Sequence, residues 1–156
     1  VDISPNMLAE AQTKVNTLLN MKSVTTSQPV VKLVTADATR DLSSRFGAAS
    51  FDTVVDTFSL CVMGNDGALQ CLEQLRRVVR PNTGRLLLLE NTRSSQPFLG
   101  SYQDLTASAT AAFGGKGCVY NQNVRALIES TPGLRILQET SYATGLFRAY
   151  VVQRVN

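Results

Sequence analysis

Asp2, Asp37, Asp56 and Glu90 are the residues of this sequence whose types and placement offer chemistry. Each stands at or just beyond the carboxyl end of a segment that reads as a strand. Val1-Asp2-Ile3 reads as a strand tip, and Ser4-Pro5 after it supplies a capping residue and a first-turn proline. Asp37 follows the β-branched run Val30–Thr35, Asp56 closes Phe51–Asp56, and Glu90 closes Arg85–Glu90. In open α/β sheets that rim is where ligands bind. Four carboxylates along it suit a ligand rich in hydroxyl and amino donors and carrying positive charge. Any one of them serves equally well as a helix cap or turn residue; the four together point to a binding rim.

Other chemistries are disfavoured. The 156 residues include no histidine, and the three cysteines, Cys61, Cys71 and Cys118, lack CxxC spacing. That argues against a zinc site, and it removes the commonest general base and the His-dependent hydrolase triads. The cysteines read as packing residues, and their odd number favours a reducing compartment. Fifteen Lys and Arg against 12 Asp and Glu leave a scattered net charge of +3, too weak to predict a nucleic-acid partner. The longest apolar run, Leu86–Leu89, falls far short of the roughly 18 residues of a membrane helix.

The elements that must hold the rim follow from periodicity. Leu8, Ala11, Val15, Leu18 and Leu19 predict an amphipathic helix over 5–21, followed by a polar loop over 22–29. Thr39–Phe46 reads as a short helix or turn stopped by Gly47. Leu69, Leu72, Leu75, Val78 and Val79 give a helix over Asp66–Arg80, with Arg76, Arg77 and Arg80 near its carboxyl end, where cations complement the dipole. Pro81–Gly84 is a tight turn. The leucine run of Arg85–Glu90 implies a strand buried on both faces. Asn91–Pro97 is a loop, Phe98–Phe113 a helix broken by Gly114–Gly117, and Asn121–Ser130 a short helix. Leu134–Tyr142 and Leu146–Gln153 form a terminal hairpin. Strands alternating with helices predict a single α/β domain over 1–156: a Rossmann-like, mostly parallel sheet with a carboxyl-terminal antiparallel hairpin.

This order of segments resembles the class I S-adenosylmethionine-dependent methyltransferases. Val1–Leu8 is similar to the family's second strand and its helix, Ala36-Asp37-Ala38 to the segment after the third strand, and Phe51–Phe58 to the fourth strand. Leu75–Pro81 with Gly84–Glu90 is similar to the following helix, turn and fifth strand. A narrower resemblance, to the methyltransferase-like branch related to quinone-biosynthesis enzymes, rests on Asp56–Cys61, Glu90-Asn91 and Gly117–Asn121. The resemblance implies S-adenosylmethionine as cofactor. It implies that Asp2 meets the ribose hydroxyls with Ile3 beside the adenine, and that Asp37 meets the adenine amino group with Ala38 offering backbone contacts. Thr57, Phe58 and Ser59 would line the methionine end. Where the acceptor needs a base, Glu90 and Tyr120 are the candidates. The branch implies a small-molecule or lipid-like acceptor, and a mitochondrial or membrane-associated setting.

The family's first strand and glycine-rich loop have no counterpart here, so the sequence reads as truncated at its amino terminus, with cofactor binding impaired. That strand would be central, and without it two strand edges face each other unpaired. Segments 1–3 and 51–56 then pair directly, or a second copy pairs along the exposed edge, or the sequence belongs to a longer parent. Three functions stay open: methyl transfer, a non-catalytic methyltransferase-like interaction module, and a nicotinamide-dependent oxidoreductase.

Overall fold

The computed structural model describes residues 1–21, 31–113 and 118–156. The expected loop over 22–29, Val30, and the glycine break at 114–117 lie outside the described residues. Helix α1 (Pro5–Met21) starts where the Ser4-Pro5 signal places it, and the Ser4 hydroxyl accepts the Met7 amide at 3.4 Å. Its inward stripe of Leu8, Ala11 and Val15 is half-buried. Helix α2 (Leu42–Phe46) turns inside the expected 39–46 segment and buries Leu42.

Strand β1 (Thr53–Thr57) is joined to helix α3 (Gly64–Val78) by a 3-10 turn at Leu60–Met63 that periodicity did not predict. Helix α3 buries Leu72, Leu75 and Val78 of the expected stripe, together with Ala68 and Cys71, while Leu69 is only half-buried. Strand β2 (Arg85–Asn91) follows the tight turn, where Asn82 takes a left-handed φ of 62°. Gly84 is required there: a Cβ would stand 2.7 Å from both the Arg80 carbonyl oxygen and the Val79 side chain. Helix α4 (Pro97–Phe113) and helix α5 (Val124–Ser130) precede the hairpin of β3 (Leu134–Tyr142) and β4 (Phe147–Arg154). Asn123 caps α5 by accepting the Ala126 amide, so the expected helix over 121–130 begins three residues later.

The sheet runs β1-β2-β4-β3. β1 and β2 are parallel, and β4 lies antiparallel between β2 and β3. The Rossmann-like half is thus the β1–β2 pair, and the hairpin extends it. One face packs on α3 and α5 through Leu72, Leu86, Leu88, Val124, Ile128, Tyr150 and Val152, all almost fully buried. At about 25 cal/mol per Å² of apolar surface, each large aliphatic side chain in that layer contributes roughly 1.5–3 kcal/mol.

Three expectations are corrected. The leucine run of β2 is buried on one face only: Leu86 and Leu88 are buried, but Leu87, on the other face, is 38% exposed. Of the strand expected over Val30–Thr35, the described residues 31–35 form a single parallel bridge, between Thr35 and Asp2. A β-branched run forms a ladder only as long as its partner, and Pro5 starts a helix just three residues beyond Asp2. Segments 1–3 and 51–56 do not close up on each other. Among the described residues Asp2 bridges only Thr35, and β1 pairs only with β2. The edge of β1 away from β2 therefore has no strand beside it among the described residues, and a cleft lies there instead.

Candidate functional site

The cleft has a volume of about 790 Å³ and separates the Asp2–Thr35 bridge from β1. Asp2, Ile3, Asp37 and Ala38 line one side; Asp56 and Ser59 stand at the end of β1 on the other. Its size is that of a small-molecule or cofactor site, for which roughly 300–1,000 Å³ is usual.

Asp2 is placed by its own backbone. Its amide donates to the Val34 carbonyl at 3.3 Å, its carbonyl accepts the Ala36 amide at 3.1 Å, and its Oδ1 accepts the Ser4 amide at 2.7 Å. These bonds hold the carboxylate at the start of α1 and leave Oδ2 for another donor. Ile3 is 66% exposed beside it, an apolar surface with an open face. Asp37 sits in a turn in which its Oδ1 accepts the Thr39 amide at 2.9 Å and the Thr39 hydroxyl at 2.7 Å, while Arg40 pairs with Oδ2 at 2.9 Å. The Thr39 bonds, with Arg40 adding, hold Asp37 below the ordinary carboxylate range. It stays ionised, and Arg40, whose side chain is 74% exposed, has room to swing away.

The expected rim of four carboxylates is a rim of three. Glu90 does not line the cleft: it is fully buried at the end of β2. Its Oε1 accepts the Ser59 amide at 3.2 Å, and the Leu60 and Cys61 amides also point at its carboxyl. It therefore caps the 3-10 turn that opens at Leu60. Asp56 faces it from β1, with Oδ1 accepting the Ser59 hydroxyl at 2.5 Å. Asp56 Oδ2 and Glu90 Oε2 are both buried without a donor. A single proton between the two carboxyls satisfies both. Burial first, and then the charge of Asp56, push Glu90 up to about 8; burial likewise raises Asp56. Glu90 is thus buried against the turn that its carboxyl caps and is not among the residues that line the cleft.

Ser59 alone of the expected methionine-end residues lines the cleft. Thr57 is exposed on β1, and Phe58 is 44% exposed, packed edge-on against Phe147 with ring centroids 5.9 Å apart. Phe58 has a φ of 55°, a left-handed conformation held by its amide bond to the Leu89 carbonyl at 2.9 Å. Strain of this kind gathers at functional turns. Tyr120 does not line the cleft: it is half-buried, its hydroxyl bonded to that of Thr106 and its carbonyl accepting from Gln103 Nε2 at 2.9 Å. Residue types alone did not reveal the facing of Asp56 and Glu90. Their positions at the ends of adjacent parallel strands, with Asp56 opposite Leu88, were the available signal.

The described residues fit the adenosine part of S-adenosylmethionine. Asp2 and Asp37 offer carboxylate oxygens on one side of the cleft, Ile3 offers an apolar face, and the volume is sufficient.

Comparison with known proteins bears on the family and the fold. The family described as methyltransferase domain matches residues 1–82, a little over half of the chain. Among solved structures, mitomycin 7-O-methyltransferase MmcR superposes with a TM-score of 0.68 at 16% identity, covering 99% of this chain and 41% of that one. A protein from Pyrococcus horikoshii OT3 gives 0.68 at 14% identity, covering 97% and 68%. An S-adenosylmethionine-dependent methyltransferase from Methanosarcina mazei gives 0.63 at 18%, covering 99% and 80%. The chain thus spans less than half the length of the first of these structures, and at such identities the likeness shows the fold. With the family match over residues 1–82, the chain belongs to the class I S-adenosylmethionine-dependent methyltransferases.

Proposed function

We propose that the chain carries the cofactor cleft of an enzyme that methylates a small-molecule or lipid-like acceptor. The observation that carries this reading is the cleft itself, with Asp2 and Asp37 on one side and Ser59 and Asp56 on the other. Asp2 would accept hydrogen bonds from the ribose hydroxyls, Ile3 would cover the adenine, and Asp37 would accept from its amino group beside the Ala38 backbone. Ser59 would stand at the methionine end, with Thr57 and Phe58 shaping its approach. The bound cofactor supplies a methyl group already activated on a sulfonium sulfur. What remains for the protein is alignment and exclusion of water. Glu90 serves this by fixing the 59–61 turn, and Tyr120 follows Val119, whose amide donates to Cys61 in that turn.

A small acceptor is consistent with the fold relative whose substrate is named, mitomycin. A lipid-like acceptor and a mitochondrial or membrane-associated setting rest on the resemblance to the quinone-biosynthesis branch. Titration calorimetry with S-adenosylhomocysteine and with NAD⁺ tests the cofactor assignment. Saturable binding of the first, weakened at least roughly tenfold in Asp2→Ala, supports it. Saturable binding of NAD⁺ alone would move the chain to the oxidoreductase reading. A second reading, an interaction module that pairs with another copy, draws on the free edge of β1, where Val55 is 65% exposed. Light scattering decides it: a strict monomer at all concentrations sinks that reading.

A further inference from the structure

The fold brings together two of the three cysteines at the turn after β1, and the methyl-transfer reading gives neither thiol a role. Cys61 lies in the 3-10 turn after β1 and is 1% exposed; Cys118 is half-buried on the segment leading to α5. The Val119 amide donates to the Cys61 carbonyl at 2.8 Å, so the two backbones run side by side. That contact sets Cys118, the residue before Val119, beside Cys61, and the Cys118 thiol acts on the Cys61 thiol. Asn91 Nδ2 donates to the Cys61 sulfur at 3.8 Å from the other side. Bonds that involve no thiol hold the same segment: Gln122 donates to Asn65 Oδ1 at 3.2 Å, and the Arg93 amide donates to the Gln122 carbonyl at 3.0 Å. The pairing of the two sulfurs is therefore built into the packing. Cys71 is also buried, but on α3 and apart from this pair.

We propose that Cys61 and Cys118 are an oxidative modification site, in which a hydroperoxide converts the two thiols to a disulfide that fastens the segment before α5 to the turn after β1. Cys118, the accessible member, attacks the peroxide as its thiolate; the O–O bond breaks, hydroxide leaves, and a sulfenic acid forms on Cys118. The Cys61 sulfur then attacks the Cys118 sulfur. The S–S bond forms, the S–O bond breaks, and water departs with the Cys61 proton. With hydrogen peroxide, two thiols lose two electrons and two protons, and one peroxide becomes two waters. Burial pushes the Cys61 thiol up to about 12, so the second step is the slow one, and Asn91 aids it by donating to the sulfur as charge develops.

Hydrogen peroxide added to the purified chain, followed by thiol titration in denaturant and non-reducing peptide mapping, tests this. The expected result is loss of two of the three thiols and one Cys61–Cys118 linked peptide. Tm should rise by roughly 10 °C, because the link closes a long loop, and dithiothreitol should reverse the rise. Cys71→Ser should retain the linked peptide, and Cys118→Ser and Cys61→Ser should each lose it. Three thiols still titrating after peroxide, Cys118 overoxidised with Cys61 still free, or a Cys118-linked dimer on a non-reducing gel would each overturn the proposal.

Discussion

Raising the pH from about 5 to about 9 should destabilise this chain, and Glu90→Gln should abolish most of that dependence. Glu90 is fully buried, and its carboxyl is pushed from the ordinary 4.5 to about 8. A carboxyl whose folded value is raised stabilises the fold below its unfolded value, and that stability is lost as the pH climbs through the folded one. The window here runs from 4.5 to about 8. At about 1.4 kcal/mol per pH unit, the loss across it is ~5 kcal/mol at most. Relaxation of the Asp56–Glu90 pair reduces this to a few kcal/mol, still a large share of the roughly 5–15 kcal/mol that holds a domain together. The chain has no histidine to titrate in this window, and Asp56, also raised by burial, acts in the same direction. Asp37 and Glu73 are shifted downward and lose their contribution only as the pH falls toward their lowered values, below this window. In Glu90→Gln the side-chain amide keeps an acceptor for the Ser59 amide and offers Asp56 a donor, so it imitates the protonated acid. Urea unfolding midpoints measured across the range should fall with pH in the parent chain and stay nearly level in the variant. A flat or rising profile in the parent, or an equal slope in both, would refute the shared proton.

Two substitutions probe the backbone. Gly84→Ala forces a Cβ to within 2.7 Å of the Arg80 carbonyl oxygen and the Val79 side chain, and thermal melts should show a loss of about 1–3 kcal/mol. Ala49→Gly relieves a left-handed residue with φ of 53° and should raise stability by about 0.5–1 kcal/mol in the same assay; no gain would mean that this turn carries no strain.

Much of this fold is legible in the sequence because its strongest patterns are local. The helical stripe from Leu72 to Val78, the leucine run of β2 and the two strands of the terminal hairpin lie within a residue or two of where they read, although the run is buried on one face only. The candidate site is less legible because it depends on what returns to meet what. Glu90 reads as a strand-end carboxylate on the binding rim. It is buried because the backbone after Phe58 turns back and aims amides at it, and no residue type announces that turn. The run before Asp37 reads as a strand, yet a strand needs a partner of its own length, and Asp2 supplies one bridge. Asp2 and Asp37 stand at the cleft as expected because each is fixed by short-range bonds, to Ser4 and to Thr39, that the sequence itself encodes.

The central claim is that the cleft between Asp2 and β1 holds the cofactor. Amide chemical shifts recorded while S-adenosylhomocysteine is added to the millimolar range test it most directly, since they register even weak occupancy and locate it. The account predicts saturable shifts concentrated at Asp2, Ile3, Asp37, Ala38 and Ser59, and largely lost in Asp2→Ala. No shifts at that concentration, or shifts gathered on the β3–β4 hairpin away from the cleft, would contradict it.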